Sequence, residues 1–277
     1  MMLDPVISAD EAIGLHGSPG TVFLDASWTF PGGPQFRAGG YIPGARPFDI
    51  DTVRDETSPL PHMLPPADVF ERHARSLGLS NDDTLIVYDR IGLFSAARVW
   101  WMFRAMGHEN VRVLAGGLPQ WIARGGPVAD TPGEVPDQGD FRAQFRAHWL
   151  ASLEDVREAL TSDRHQLLDA RAPDRFAGDG PEPRPGMRSG HMPGAVNLHY
   201  ASLLDSDACP VAGLRDMQEA GVDMSRDLIA TCGSGVTACI IALLLARNGR
   251  HAAVYDGSWV EWGSRSDTPV VTQADES

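Results

Sequence analysis

Short apolar runs alternate with helical patterns along the whole chain. Gln166–Asp169, Asp227–Thr231 and Ala252–Tyr255 are brief, apolar-rich segments that predict buried strands. Ser152–Leu160 reads as a helix, with Ser152 and Asp155 at capping-box spacing. Val236–Asn248 reads as a second helix, and Gly249 suits its C′ position. Strands that alternate with helices predict an α/β fold with a mostly parallel sheet covered by helices on both faces. Such sheets bind ligands at the carboxyl ends of their strands. Cys232 stands at such an end, directly before a helix.

The pattern is written twice. Phe23-Leu24-Asp25-Ala26-Ser27 returns as Leu167-Leu168-Asp169-Ala170-Arg171. Gly40-Tyr41-Ile42-Pro43-Gly44-Ala45 returns as Gly190-His191-Met192-Pro193-Gly194-Ala195, and Leu85-Ile86-Val87-Tyr88-Asp89 as Leu228-Ile229-Ala230-Thr231-Cys232. Order is kept at a spacing of about 140 to 150 residues, too long for a solenoid and right for duplicated domains. The Pro-, Gly- and acid-rich stretch Asp130–Gln138 reads as a linker. The division is therefore residues 1–130, a linker and crossover over 131–148, and a second domain over 149–277.

Composition narrows the chemistry. The 277 residues are 43% hydrophobic and 22% charged, ordinary for a soluble globular protein. The longest apolar run, Ala238–Ala246, is too short to span a bilayer, and the N-terminus shows no secretory pattern. A formal charge of −14 disfavours nucleic acid and anionic membranes as partners. The chain has no lysine, which excludes a lysine Schiff base and a Walker A loop. Three cysteines, Cys209, Cys232 and Cys239, suit a reducing, cytoplasmic setting better than a disulfide framework. Without a C-x-x-C pair or an H-E-x-x-H motif, no metal site is expected.

The loop Cys232-Gly233-Ser234-Gly235-Val236-Thr237-Ala238 carries the strongest signal. Two glycines let successive N–H groups turn inward as a nest, and the following helix adds its positive end. A cysteine there is expected to be a thiolate near neutrality. Cys239, inside the apolar helix, reads as a core residue instead, and Cys209 as incidental. Gly233-x-Gly235-x-x-Ala238 also matches a dinucleotide fingerprint, but too little chain follows for a second mononucleotide half. A cysteine phosphatase would close this loop with an arginine, where Thr237-Ala238 stand.

These residues resemble the rhodanese superfamily of sulfurtransferases in its two-domain form. The markers are Asp25-Ala26-Ser27-Trp28, Arg98–Arg104, Gly190–Ala195 and Asp256-Gly257-Ser258-Trp259. Within that superfamily the Cys-Gly-Ser-Gly-Val-Thr-Ala loop is similar to that of 3-mercaptopyruvate sulfurtransferases, whereas thiosulfate-specific relatives usually carry basic residues just after the cysteine. The resemblance implies one competent cysteine, Cys232, with Asp89 in the inactive copy. It implies a sulfane-sulfur transfer from 3-mercaptopyruvate through a Cys232 persulfide, without metal or organic cofactor, to a small thiol, cyanide or a thioredoxin-like dithiol protein. Thiosulfate:cyanide transfer and a non-catalytic sulfur carrier are the alternatives. It further implies that Arg175 and Arg184 bind the substrate, that Gly233, Gly235, Val236 and Thr237 shape the loop around it, and that Ser234 works with His62 and Asp51 as a proton relay. From the residues alone His62 also reads as a surface-loop histidine, and His191 as a turn residue matching Tyr41. Residues 179–186 have no counterpart in the first half; this proline-stiffened insertion holds Arg184.

Overall fold

The computed structural model describes residues 3–30, 32–135 and 137–275. The chain forms two compact units. The first holds β1 (Val6–Ile7), α1 (Ala9–Leu15), β2 (Thr21–Asp25), β3 (Arg46–Pro47), α2 (Ala67–Ser76), β4 (Thr84–Tyr88), α3 (Ala96–Ala105), β5 (Val111–Leu114) and α4 (Gly117–Ala123). The second holds β6 (Leu150–Ala151), α5 (Leu153–Ala159), β7 (His165–Asp169), α6 (Pro173–Ala177), β8 (Val196–Asn197), α7 (Leu214–Glu219), β9 (Asp227–Thr231), α8 (Ala238–Arg247), β10 (Ala252–Tyr255) and α9 (Ser258–Trp262).

Each unit is an α/β fold around one five-stranded parallel sheet. The orders are β1-β5-β4-β2-β3 and β6-β10-β9-β7-β8, the same topology used twice. In the first unit Phe23, Ile86 and Tyr88 pack with Ala12 of α1 and Leu118 and Trp121 of α4. Residues alternate across a strand, so Leu85 and Val87 face the other way. α3 packs on β4 and β5, and its Phe103 meets Phe48, Phe70 and Phe141. In the second unit Leu167, Ile229 and Tyr255 pack with Val156, Trp259 and Trp262. α8 is apolar all round, and Ala238–Leu245 are all buried, as expected for a helix in the core.

The units do not follow the chain strictly. Residues 58–63 belong to the second unit and 204–210 to the first. Nor is the segment 131–146 a loose tether. Its described residues pack with the first unit, where Phe141 is fully buried and Phe141 N–H donates to Leu79 O.

After β7 the chain moves outward to the edge strand β8, then returns to β9 on the other side of β7. In open α/β sheets ligands usually bind at such a reversal, at the carboxyl ends of the two strands, which here are β7 and β9. The register Asp169↔Thr231 puts the Asp169–Arg171 turn and Cys232 on the same rim.

Candidate functional site

The first unit shows what the duplicated loop is built to hold. Asp89 leaves β4 fully buried, and its carboxylate accepts five backbone N–H bonds at 2.8–3.0 Å, from Ile91, Gly92, Phe94, Ser95 and Ala96. α3 has no side-chain cap from Ser95; the Asp89 carboxylate satisfies its first N–H groups instead. The loop is an anion cradle filled by its own acid.

In the second unit Cys232 takes that place at the end of β9. The anchors repeat. Trp259 N–H donates to Cys232 O at 3.0 Å as Leu118 N–H donates to Asp89 O, and Gly235 (φ +76°) turns the loop as Gly92 (φ +130°) does. α8, like α3, lacks a side-chain cap. Cys232 and Ser234 are buried, and Cys239 is held in the first turn of α8, its thiol donating to Gly235 O at 3.2 Å. Cys232 N–H donates to Ser258 Oγ at 3.2 Å, and Ser258 Oγ–H donates to Tyr255 O at 2.8 Å. Ser258 has φ +47°, where the first unit has Gly117 at φ +54°. A side chain is thus accepted in strained backbone in contact with Cys232.

The cations come from the turn after β7, from α6 and from the insertion. The Arg175 guanidinium, on α6, lies against Gly233: a Cβ there would sit 3.3 Å from Nη2 and 3.7 Å from Nη1. Glu182 bridges Arg175 Nη2 at 2.5 Å and Arg171 Nη1 at 2.9 Å. Arg171 grips Asp169 through Nε and Nη2 and lies 4.1 Å over the Trp259 ring. Burial works against the charged Arg171, but Asp169 and Glu182 outweigh it and raise its pKa above the ordinary value. Arg184 is half-buried, and among the described residues it makes no hydrogen bond or ion pair.

The second unit therefore brings together Cys232, Gly233, Ser234, Gly235, Val236, Thr237 and Arg175, and the insertion with Arg184 belongs to it. His62 is part of it too, through the 58–63 segment; it is buried and has φ +60°. Its counterpart in the swapped 204–210 segment is Ala208, at φ +58°; a Cβ on Gly92 in the first unit's loop would lie 2.5 Å from the Ala208 Cβ. Asp51 belongs to the first unit, where its carboxylate accepts from Trp28 Nε1 at 2.8 Å. His191 is a buried turn residue: Nδ1 lies 2.8 Å from Phe176 O and the ring stacks on Phe176 at 3.8 Å, pinning α6. Sequence reading missed Arg171, Glu182 and Ser258. Each stands where the second half departs from the first: Ser27 becomes Arg171, Gly117 becomes Ser258, and Glu182 lies in the insertion.

The comparisons agree with this geometry. The rhodanese-like domain model matches twice, over residues 8–124 and 152–265. The chain is 44% identical over 254 residues to human 3-mercaptopyruvate sulfurtransferase, covering 88% of this chain and 85% of that protein. It is equally 44% identical over 258 residues to bovine thiosulfate sulfurtransferase, covering 90% and 86%. The crystal structure of SseA from Escherichia coli, described as a 3-mercaptopyruvate sulfotransferase, superposes with a TM-score of 0.81 at 34% identity, covering 93% of this chain and 99% of the other. Tum1 of Saccharomyces cerevisiae gives 0.88 at 31% identity, covering 99% of each. The chain belongs to the rhodanese-like family, as a two-domain sulfurtransferase of the 3-mercaptopyruvate/thiosulfate type.

Proposed function

We propose that Cys232 takes its sulfur from 3-mercaptopyruvate and holds it as a persulfide. The observation that carries this reading is the placement of the cation. Arg175 stands beside Gly233, while the loop itself bears no basic side chain. A donor whose carboxylate is several bonds from its sulfur fits that arrangement: Arg175 and Arg184 bind the carboxylate and carbonyl, and the sulfur reaches Cys232. The thiolate attacks the substrate sulfur, the C–S bond breaks, and the electron pair leaves on carbon as the pyruvate enolate. Protonation gives pyruvate, with Ser234 and His62 as the relay. The loop N–H groups hold the persulfide as those of the first unit hold Asp89. A small thiol, cyanide or a thioredoxin-like dithiol protein in the cytoplasm then attacks the outer sulfur and restores the Cys232 thiolate.

Thiosulfate as donor is the second reading, favoured by the equal identity to the bovine thiosulfate enzyme. Comparison of kcat/KM for the two donors decides between them. Intact mass after donor treatment tests the shared step: one added sulfur, removable by cyanide, in wild type and in Cys209→Ser and Cys239→Ser, and none in Cys232→Ser. Persistent turnover in Cys232→Ser would overturn the assignment.

A further inference from the structure

The insertion that sets the second half apart brings an acid as well as a base. The Glu182 side chain is only 3% exposed and both its oxygens are engaged, Oε1 by Arg171 and Oε2 by Arg175. Arg171 is itself immobilised by Asp169, by Gly190 O at 2.9 Å and by the Trp259 ring. Trp259 in turn bonds the Cys232 carbonyl through its backbone N–H. One carboxylate therefore ties Arg175 to a buried frame that also fixes Cys232. Held through Nη2, Arg175 has its Nε buried without a hydrogen-bond partner among the described residues. An arginine fixed at one edge presents its remaining donors without the rotamer freedom of a long side chain.

The charges close as well. Asp169 and Glu182 balance Arg171 and Arg175, so this group offers aimed donors with no net positive charge. A single carboxylate is satisfied by aimed donors, whereas a compact dianion needs net positive charge beside the reacting sulfur.

We propose that Glu182 is a positioning residue that sets donor specificity: it holds Arg175 against Gly233 and cancels its charge, favouring a monocarboxylate donor over a dianionic one. This rests on the donor reading given above. The test uses the full-length protein and compares wild type, Glu182→Gln, Glu182→Asp and Arg175→Ala. Glu182→Gln should raise KM for 3-mercaptopyruvate about tenfold while kcat stays within about threefold, a change carried by binding rather than chemistry. The kcat/KM ratio should move toward thiosulfate by about tenfold, and Glu182→Asp should recover part of both effects. In an Arg175→Ala background Glu182→Gln should leave the ratio unmoved, because the two act as one unit. An unchanged KM, a parallel loss for both donors through kcat, or an equal effect in both backgrounds overturns the proposal. A readout independent of turnover is protection of Cys232 by pyruvate against iodoacetamide, followed by intact mass. Weaker protection in Glu182→Gln than in wild type supports the proposal, and equal protection overturns it. If wild type turns over neither donor, the donor reading fails and this protection still decides the role of Glu182.

Discussion

Gly233 and Arg184 are the residues at which the proposed donor reading is most directly tested. Any side chain at 233 brings its Cβ to 3.3 Å from Arg175 Nη2, closer than such contacts normally come. In the first unit the same position is Arg90, which pairs with Asp25 at 3.4 Å and lies over the Phe36 and Tyr41 rings. An arginine is thus compatible with this loop, but in the second unit it must displace Arg175. Gly233→Arg with Ser234→Lys is expected to lower kcat/KM for 3-mercaptopyruvate, raise it for thiosulfate, and shift the ratio more than tenfold, read by steady-state kinetics with both donors. Two cations a few ångströms from the sulfur contribute several kcal/mol at an effective dielectric of about 20, and a fraction of that suffices. Arg184 has no protein partner among the described residues, and the acid two positions before it is already engaged by Arg171 and Arg175. Its charge is therefore available to substrate. Loss of a charge-assisted bond costs about 1.5–3 kcal/mol, so Arg184→Ala should lose roughly 10- to 150-fold in kcat/KM. Arg184→Lys should restore only part, because an ammonium has no planar fork. Kinetics near wild type for Arg184→Ala would make the insertion a surface loop.

At the scale of elements, local rules were legible where local physics decides. The Ser152–Asp155 pairing forms a capping box: Asp155 Oδ2 accepts from Ser152 N–H at 2.7 Å, and Ser152 Oγ accepts from Asp155 N–H at 3.2 Å. The strands Asp227–Thr231 and Ala252–Tyr255 fall where their apolar runs place them. The exchange of 58–63 and 204–210 between units was not legible, because it depends on tertiary packing of polar segments with no periodicity of their own. The Glu182 bridge was hidden for the same reason, since an acid in a Pro-rich insertion looks solvated until Arg171 and Arg175 are seen on either side of it. The capping box gives a pH test. Its hydrogen bonds from the Ser152 side chain and backbone hold the Asp155 carboxyl below its ordinary range. A carboxyl depressed in the folded state adds stability above its ordinary value, near 4, and loses that stability as pH falls through the depressed value. Ser152→Ala should cost about 1 kcal/mol at pH 7. Asp155→Asn should make the acid limb of the urea midpoint shallower than in wild type below about pH 5. An acid limb parallel to wild type would show that the box does not contribute.

Across the whole molecule, duplication has separated the cradle from the chemistry. Both loops run into a helix without a side-chain cap, but the first places a carboxylate, Asp89, where the second places a thiol, Cys232. The first is closed in three ways. Asp89 fills it with five N–H bonds. The 204–210 segment covers it, with Ala208 against Gly92 and Asp207 O near Gly116. Arg90 occupies the side on which Arg175 stands in the second unit, and no insertion supplies a counterpart of Arg184 or Glu182. An anion cradle alone should therefore be insufficient. The double variant Asp89→Cys/Cys232→Ser places a thiol in the first cradle and removes the native one. That thiol has a corresponding helix N-terminus and turn, but no insertion brings it a counterpart of Arg184 or Glu182, and Asp207 and Ala208 lie against its loop. Intact mass after treatment with 3-mercaptopyruvate should show no added sulfur, and turnover should be absent, while circular dichroism shows the variant folded. The single variant Asp89→Cys should keep wild-type loading at Cys232 with one sulfur only. Sulfur on the thiol introduced at position 89 in the folded double variant would mean that the cradle by itself activates a cysteine, and that Arg175 and the insertion with Arg184 tune donor choice without being needed for transfer.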